Sequence, residues 1–383
     1  MKTPVAHSVN PYLPASGSWI YNQLTNLSRY SPIVLTKRKD NLDSFPFSPV
    51  FAQYDLNPFR RGWGKLYKNL TGTYFPTYRK VLEQYEVPLL HSHFCTYGME
   101  DVSLKKALNL KHITTFYGSD IWANAIYASW REKFRIFAQE SDLFLVEGGA
   151  MRDKVVGLGA PSEKVVVFHL GVELGQIKFK PRSPGPAGRI NILMAGRAIE
   201  KKGHMYGLMA FERLARKYPQ IHLDMIVGDK SIKSGEITER MRRFIRDKGI
   251  ADRVSWDEFM PYKEYLGRLE RAHIFLQPSV MAEDGDAEGG FPVTIIELSA
   301  AGVPVVGTAH CDIPEAIIDG VTGFVAPEKD VDALADRLER LIAEPGLWPK
   351  FGEAGRAHVE REYNIKTQVG KLEDIYDGLL GVR

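Results

Sequence analysis

The sequence predicts an α/β protein made of two doubly wound parallel-sheet domains, and three observations carry that prediction. Short β-branched runs alternate with longer amphipathic segments along the chain, the signature of parallel strands covered by helices on both faces. A proline- and glycine-rich stretch, 176–189 (QIKFKPRSPGPAGR), interrupts the alternation near the middle. The alternation restarts beyond it, so that 383 residues divide into two halves of ordinary domain size.

In the first half, strands are expected near 3–9, 31–37, 88–94, 112–117, 142–147 and 165–170, where β-branched and other apolar residues cluster. Helices are expected between them, among others at 17–28, 97–108 and 128–140. In the second half the strands fall near 189–195, 221–227, 254–257, 273–277 and 303–308. A helix over 204–218 sets Leu208, Phe211, Leu214 and Ala215 on one face, and 330–342 does the same with Val331, Leu334, Leu338 and Leu341. The tail, 364–380, reads as a last amphipathic helix with Ile365, Val369, Leu372, Ile375, Tyr376 and Leu379 apolar. The domains expected are 1–178 and 179–363, with 364–383 as a closing helix. Residues 176–189 are expected to be a linker and, with the segment before the tail helix, a hinge.

Composition narrows the function classes. Lys+Arg number 50 against 47 Asp+Glu, a formal +3, which is too balanced for a chain that lives on nucleic acid. The two cysteines, Cys95 and Cys311, give no disulfide framework and suit a reducing compartment. No apolar run approaches the roughly 20 residues of a spanning helix, and the start lacks a signal-peptide core. A cytoplasmic protein is expected.

The stretch 276–315 carries the strongest chemical signal. It runs strand, acidic and glycine-rich loop, helix, strand. Pro292 suits the first turn of a helix, Gly289 and Gly290 allow close backbone approach, and the helix N-terminus presents free N–H groups to a phosphate. Glu297 lies one to two turns in, placed to accept hydrogen bonds from ribose hydroxyls. The second signal is 191–204, where a strand ends in Gly196-Arg197 and a loop with Lys201, Lys202 and Gly203 opens the next helix. A guanidinium and an ammonium there suit a diphosphate, with Lys201 expected to be solvated.

These residues together resemble the retaining nucleotide-sugar glycosyltransferases of the GT-B fold, glycosyltransferase family 4. The resemblance rests on Gly196-Arg197, Glu200-Lys201-Lys202-Gly203, Glu288-Gly289-Gly290-Phe291-Pro292 and Glu297, supported by Pro278-Ser279, 301–306 (AGVPVV), Ile313-Pro314-Glu315 and 320–324 (GVTGF). In the amino half it is looser: Ser16-Gly17, His91-Ser92-His93, and Phe116-Tyr117-Gly118-Ser119-Asp120. It implies two Rossmann-like domains facing across a cleft, with the tail helix crossing back to the first. It further implies that Arg197 and Lys202 hold the donor diphosphate, and that Glu297 holds the ribose. Glu288 and the backbone of Gly289, Gly290, Phe291, Pro292 and Val293 would face the sugar, with Gly196 and Gly17 giving close approach to the diphosphate. Arg197, Lys202 and Glu288 are the expected catalytic groups. His93, Tyr117 and Asp120 fall on the acceptor side.

This sequence departs from the family pattern twice. Glu288 and Glu297 enclose one residue more than the pattern has, so strict counting puts Gly289 at the first carboxylate; Glu288 is favoured. Tyr117 stands where many members carry a histidine, and His93 is the candidate to take its place.

The resemblance implies no cofactor or metal beyond the nucleoside-diphosphate-sugar donor, and an acceptor that is carbohydrate, lipid-linked or a small polar molecule. Asp284-Gly285-Asp286 is expected to be a solvated acidic loop. His91 and His93 are expected to alternate across their strand, which disfavours a metal, and Cys311 to lack a histidine partner. Residues 59–80 hold six basic and six aromatic residues and no acid, which fits either a peripheral contact with anionic lipid at the inner face of a membrane or a solvated helix. An epimerase or sugar phosphorylase on the same fold and a non-catalytic sugar-nucleotide binder are the alternatives. An NAD-dependent oxidoreductase is disfavoured, because neither domain's first strand is followed by Gly-x-Gly-x-x-Gly.

Overall fold

A computed structural model describes the chain apart from residues 1, 15–16, 229–231, 259 and 383. It forms two compact units, one made of 1–172 and 365–383, the other of 173–364. The first unit holds β1 (Thr3–Ser8), β2 (Tyr30–Thr36), β3 (Val50–Ala52), β4 (Leu89–His93), β5 (Lys111–Thr115), β6 (Leu143–Val146) and β7 (Val165–Val167), in sheet order β3-β2-β1-β4-β5-β6-β7. The second holds β8 (Ile190–Gly196), β9 (Ile221–Val227), β10 (Val254–Asp257), β11 (Ile274–Gln277), β12 (Val305–Thr308) and β13 (Gly323–Ala326), ordered β10-β9-β8-β11-β12-β13. Every pairing between these strands is parallel. The strands are short, and the inner ones are almost wholly buried because helices cover both faces, while the edge strands β3, β7 and β10 are partly exposed.

Each sheet reverses its direction of winding once, between β1 and β4 in the first unit and between β8 and β11 in the second. Such switch points leave a crevice at the carboxyl ends of the strands. In the second unit that edge carries Gly196-Arg197 and Pro278-Ser279.

Two strands escape the sequence reading. β3 has three residues and follows a proline-rich loop, and β13 has four and follows a turn; both are too short to show periodicity. The tail helix Ile365–Leu380 belongs to the first unit: Ile365, Val369, Leu372 and Tyr376 pack against Val5, Leu89, Ile113 and Leu145. Its buried Glu373 accepts from the backbone amides of Ser28 and Arg29, both at 2.6 Å.

The expected linker is corrected. The chain passes into the second unit after Val172, earlier than 178/179, and 176–189 is packed onto that unit rather than free. Lys180 donates its amide to Ala301 O (3.2 Å), while buried Arg182 donates to the carbonyls of Glu270 (2.7 Å) and Ala301 (2.8 Å). Those carbonyls close two helices, where unsatisfied acceptors attract a cation. Periodicity cannot reveal a segment held this way.

Candidate functional site

In the second unit, the turn after β8 is fixed by Gly203, whose φ is +64°. A Cβ there would fall 1.7 Å from the carbonyl oxygen of Pro278, so only glycine lets the β8 loop lie against the β11 loop. The two loops are also joined by the Val280 amide donating to Lys201 O at 2.9 Å. Buried His204 opens the next helix and donates Nε2–H to the carbonyl of Arg197 (3.1 Å). Burial holds this imidazole down to about 4, so it is neutral at physiological pH.

Lys202 and Glu288 meet inside this frame. The Lys202 ammonium lies 2.9 Å from the Glu288 carboxylate, with both side chains nearly out of water. Glu288 also accepts from Ser279 Oγ (2.8 Å), which in turn accepts from Gln277 Nε2 (2.9 Å). Burial alone would raise the carboxyl, but Lys202, Lys201 and Ser279 together bring it down to about 2. The Glu288 amide donates to His310 Nε2 (3.1 Å), which leaves the proton on Nδ1, facing Glu328 Oε1 at 2.8 Å.

Gly289 has φ +85°, so the extra residue between the two glutamates is taken up in a left-handed turn. Glu288 is thereby directed inward, towards Lys202. Pro292 occupies the cap position, one residue outside the helix Val293–Ala300 and not in its first turn. Arg197 is exposed, and its guanidinium makes no ion pair or hydrogen bond with the described residues.

Lys201 departs from expectation. It is buried, and its ammonium donates to Asp286 (3.1 Å) and Ala287 O (2.7 Å). The acidic loop is therefore not simply solvated: Asp286 anchors it to Lys201, and Glu288 anchors it to Lys202. Two consecutive lysines can both point inward because the residues 200–202 form a tight 3₁₀ turn, over the loop that neutralises them.

Glu297 is buried on the helix after the loop. It accepts from Tyr262 (2.9 Å) and Tyr265 (3.0 Å), which stand i and i+3 on the helix Tyr262–Leu269. Burial raises its carboxyl to about 7, against the two phenol hydrogen bonds. Sequence reasoning missed both tyrosines, and their spacing was the only signal. Cys311 does have a histidine neighbour, His310 Nε2 at 3.3 Å, simply the preceding residue. Burial nevertheless pushes the thiol up to about 12, which leaves it protonated and unreactive.

In the first unit, the carboxyl ends of β1, β4 and β5 bring His93, Tyr117 and Asp120 together. Residues i and i+2 of a strand share a face, so His91 and His93 do not alternate as expected but lie side by side, their rings 4.6 Å apart. His7 on β1 joins them, its Nδ1 3.0 Å from His93 Nε2. Among the described residues these three imidazoles are the one group whose spacing could admit a metal ion. They are instead engaged with one another and with hydroxyls: His93 with Tyr117 (2.7 Å), His91 with Tyr376 (2.6 Å) and Thr115 (2.7 Å). Burial keeps all three well below the ordinary histidine range. Asp120 accepts from the amides of Cys95 (2.7 Å) and Tyr117 (3.2 Å), tying two strand ends together. A cavity of about 370 Å³ opens here, lined by Asn10, Phe94, Tyr97, Asp120 and Asn124 among others. Gly17 caps the helix Ser18–Asn26, where a Cβ would press on Pro14 at 3.0 Å; Ser16 lies outside the described residues.

Comparison with known proteins bears on this geometry. Residues 176–358 match the model for glycosyl transferases group 1, and 30–176 match that for glycosyltransferase family 4. The amylovoran biosynthesis glycosyltransferase AmsK of Erwinia amylovora is 34% identical over 275 residues, 72% of this chain and 65% of that protein. The putative colanic acid biosynthesis glycosyltransferase WcaL of Escherichia coli is 29% identical over 305 residues, 78% of this chain and 73% of its own. The matched region thus spans about two thirds of these relatives' length. Among solved structures, sucrose-phosphate synthase from Thermosynechococcus elongatus superposes with a TM-score of 0.79 at 16% identity, each chain covered 100%. Anabaena HepE in complex with UDP and glucose gives 0.76 at 15% identity, covering 97% of this chain and 99% of that one. At such identities the structures speak for the fold, which is GT-B. No helix among the described residues is long and apolar enough to cross a membrane.

Proposed function

The chain belongs to the GT-B glycosyltransferases of family 4, its second half matching glycosyl transferases group 1, and from that premise we propose that it moves a sugar from a nucleoside-diphosphate-sugar donor to an acceptor hydroxyl in polysaccharide synthesis. The observation that carries this reading is the placement of two cations, exposed Arg197 and the Lys202 paired with Glu288, on the loop that follows β8, with the Gly289–Phe291 turn leading into a helix after the neighbouring strand β11. Cations and the start of a helix thus follow two neighbouring strands, β8 and β11, which is the chemistry a diphosphate needs.

In this reading Arg197 meets the diphosphate first, because it has no partner among the described residues to leave. Lys202 turns from Glu288 towards the phosphate as charge builds on it, and Glu288 is freed for the hydroxyls of the sugar. Glu297, presented by its two tyrosines, accepts from the ribose. The C1–O bond to phosphate breaks with its electron pair going to the diphosphate. The acceptor oxygen bonds to C1 on the same face, and its proton passes to the departing phosphate oxygen. Retention follows without a protein base, so that the protein's work is positioning and charge stabilisation. The acceptor side is assigned to the cavity beside Tyr117 and Asp120, where aromatic rings and amide side chains suit a sugar ring. Membership alongside amylovoran and colanic acid enzymes supports a polysaccharide as product.

The test is a thermal-shift screen with UDP-, GDP- and ADP-sugars, followed by transfer assays with the stabilising donor and analysis of the anomeric configuration. Stabilisation by one donor, and a product with retained configuration, is expected. An epimer formed without acceptor, turnover only with inorganic phosphate, or binding with neither transfer nor donor hydrolysis would overturn it in favour of the epimerase, the phosphorylase or the binding protein respectively.

A further inference from the structure

The helix Pro58–Thr71 is built to be a stable helix yet leaves its apolar side uncovered. Asn57 accepts from the Arg60 amide at 2.9 Å, Pro58 begins the first turn, and Gly72 closes the helix with its amide on Lys68 O at 2.9 Å. Its inner side is small and tightly seated. A Cβ on Gly64 would lie 2.5 Å from Gln53 Nε2, and the Lys68 ammonium lies over the Phe75 ring. With Gly64 and Lys68 inward, the opposite side faces away from the unit.

That outward side carries Phe59, Trp63, Leu66 and Leu70, exposed by 85%, 58%, 49% and 77%. At about 100° per residue these four fall within roughly 60° of arc, a single continuous stripe. Scattered exposed apolar residues need no explanation, but four large ones in line do. Arg60 flanks the stripe on one side and Lys65 on the other. Neither they nor Arg61 pair with an acid among the described residues, and residues 56–82 contain no Asp or Glu. An apolar ridge between unneutralised cations matches the interface of an anionic bilayer, whose acyl region takes the ridge while its headgroups take the charges. A second copy of the same surface would set these cations against each other.

We propose that the helix Pro58–Thr71 docks this protein on the surface of an anionic lipid bilayer, with Phe59, Trp63, Leu66 and Leu70 immersed and Arg60 and Lys65 on headgroup phosphates. The proposal stands apart from the glycosyltransferase reading, since none of these residues belongs to the donor or acceptor site.

The experiment is co-sedimentation of the full chain with vesicles of phosphatidylcholine alone or mixed with phosphatidylglycerol, at low and high salt. Binding at least tenfold tighter to the mixed vesicles is expected, falling as salt rises. Phe59→Ser/Leu70→Ser should lose that binding tenfold or more, and Arg60→Gln/Lys65→Gln should erase the preference for anionic lipid. Both keep the native circular dichroism, because the altered side chains touch solvent. A blue shift of tryptophan emission on binding, absent in Trp63→Phe, would place the stripe in the acyl region. Donor-induced thermal stabilisation is unchanged in all these variants, which separates this result from a failure of the proposed activity. Failure to sediment with mixed vesicles, equal binding by the native chain and the serine variant, or a native dimer that the serine variant dissolves would overturn the proposal.

Discussion

Removal of the Lys202 ammonium is the most informative perturbation. Glu288 is held near 2 against an ordinary 4.5, and both partners are buried, so little solvent screening intervenes. For a carboxyl depressed in the folded state, the stabilisation is fully present above the unfolded value and is lost as pH falls from 4.5 through 2. At about 1.4 kcal/mol per pH unit the interval amounts to about 3 kcal/mol at pH 7 and about half of that at pH 3. Lys202→Met keeps the aliphatic stem but leaves Glu288 only the more distant charge of Lys201 and the Ser279 hydrogen bond, so its carboxyl should rise towards the ordinary range. Because Lys201 and Ser279 share in lowering Glu288 and burial itself lowers Lys202, the variant is expected to lose only part of that interval, up to about 3 kcal/mol at pH 7, and to show a flatter acid limb, its deficit shrinking on acidification. The double variant Lys202→Met/Glu288→Gln should cost less than the sum of the single changes, since neither charge is then stranded. Urea unfolding of the intact chain between pH 3 and 7 reads this out, with hydrogen exchange of peptides from 274–300 identifying the second unit's transition. Parallel acid limbs in the native chain and Lys202→Met would refute the coupling.

Arg197→Ala should leave stability within about 0.5 kcal/mol, because the side chain is exposed and has no partner among the described residues, yet lower turnover on the order of 100-fold if its charge serves the leaving diphosphate; steady-state kinetics with a matched donor measures it. Gly203→Ala should prevent native packing of the second unit, since a methyl group cannot occupy space 1.7 Å from the Pro278 oxygen, and far-ultraviolet dichroism with thermal melting reports it. Glu297 is raised to about 7, so the linkage runs the other way: native stability declines as pH rises from 4.5 to about 7, by about 3 kcal/mol in all. Glu297→Gln should abolish that decline and raise the donor KM, as urea melts and initial rates across pH 5–8 would show.

Most strands and the principal helices were legible because parallel, doubly covered strands read as buried apolar runs and surface helices as 3.6-residue stripes. The cation–glycine–glutamate signature was legible because its members are close in sequence. The details that failed are those set by partners far along the chain. Lys201 looks like a solvated lysine until the residues near 286 fold over it. The 176–189 segment looks like a free linker until Arg182 reaches two helix ends.

The sequence by itself determined the strand–helix order, the division into two halves, the glycines at the turns and the acid-free, basic and aromatic composition of 59–80, since each follows from neighbours on the same segment. Only tertiary structure decided that Lys202 and Glu288, some 86 positions apart, are a buried ion pair, that Tyr262 and Tyr265 hold Glu297, and that His7 joins His91 and His93. The physical reason is that burial and strand order set a group's charge and its partners. Both depend on which strands the crossovers bring side by side, and residue spacing along the chain does not encode that.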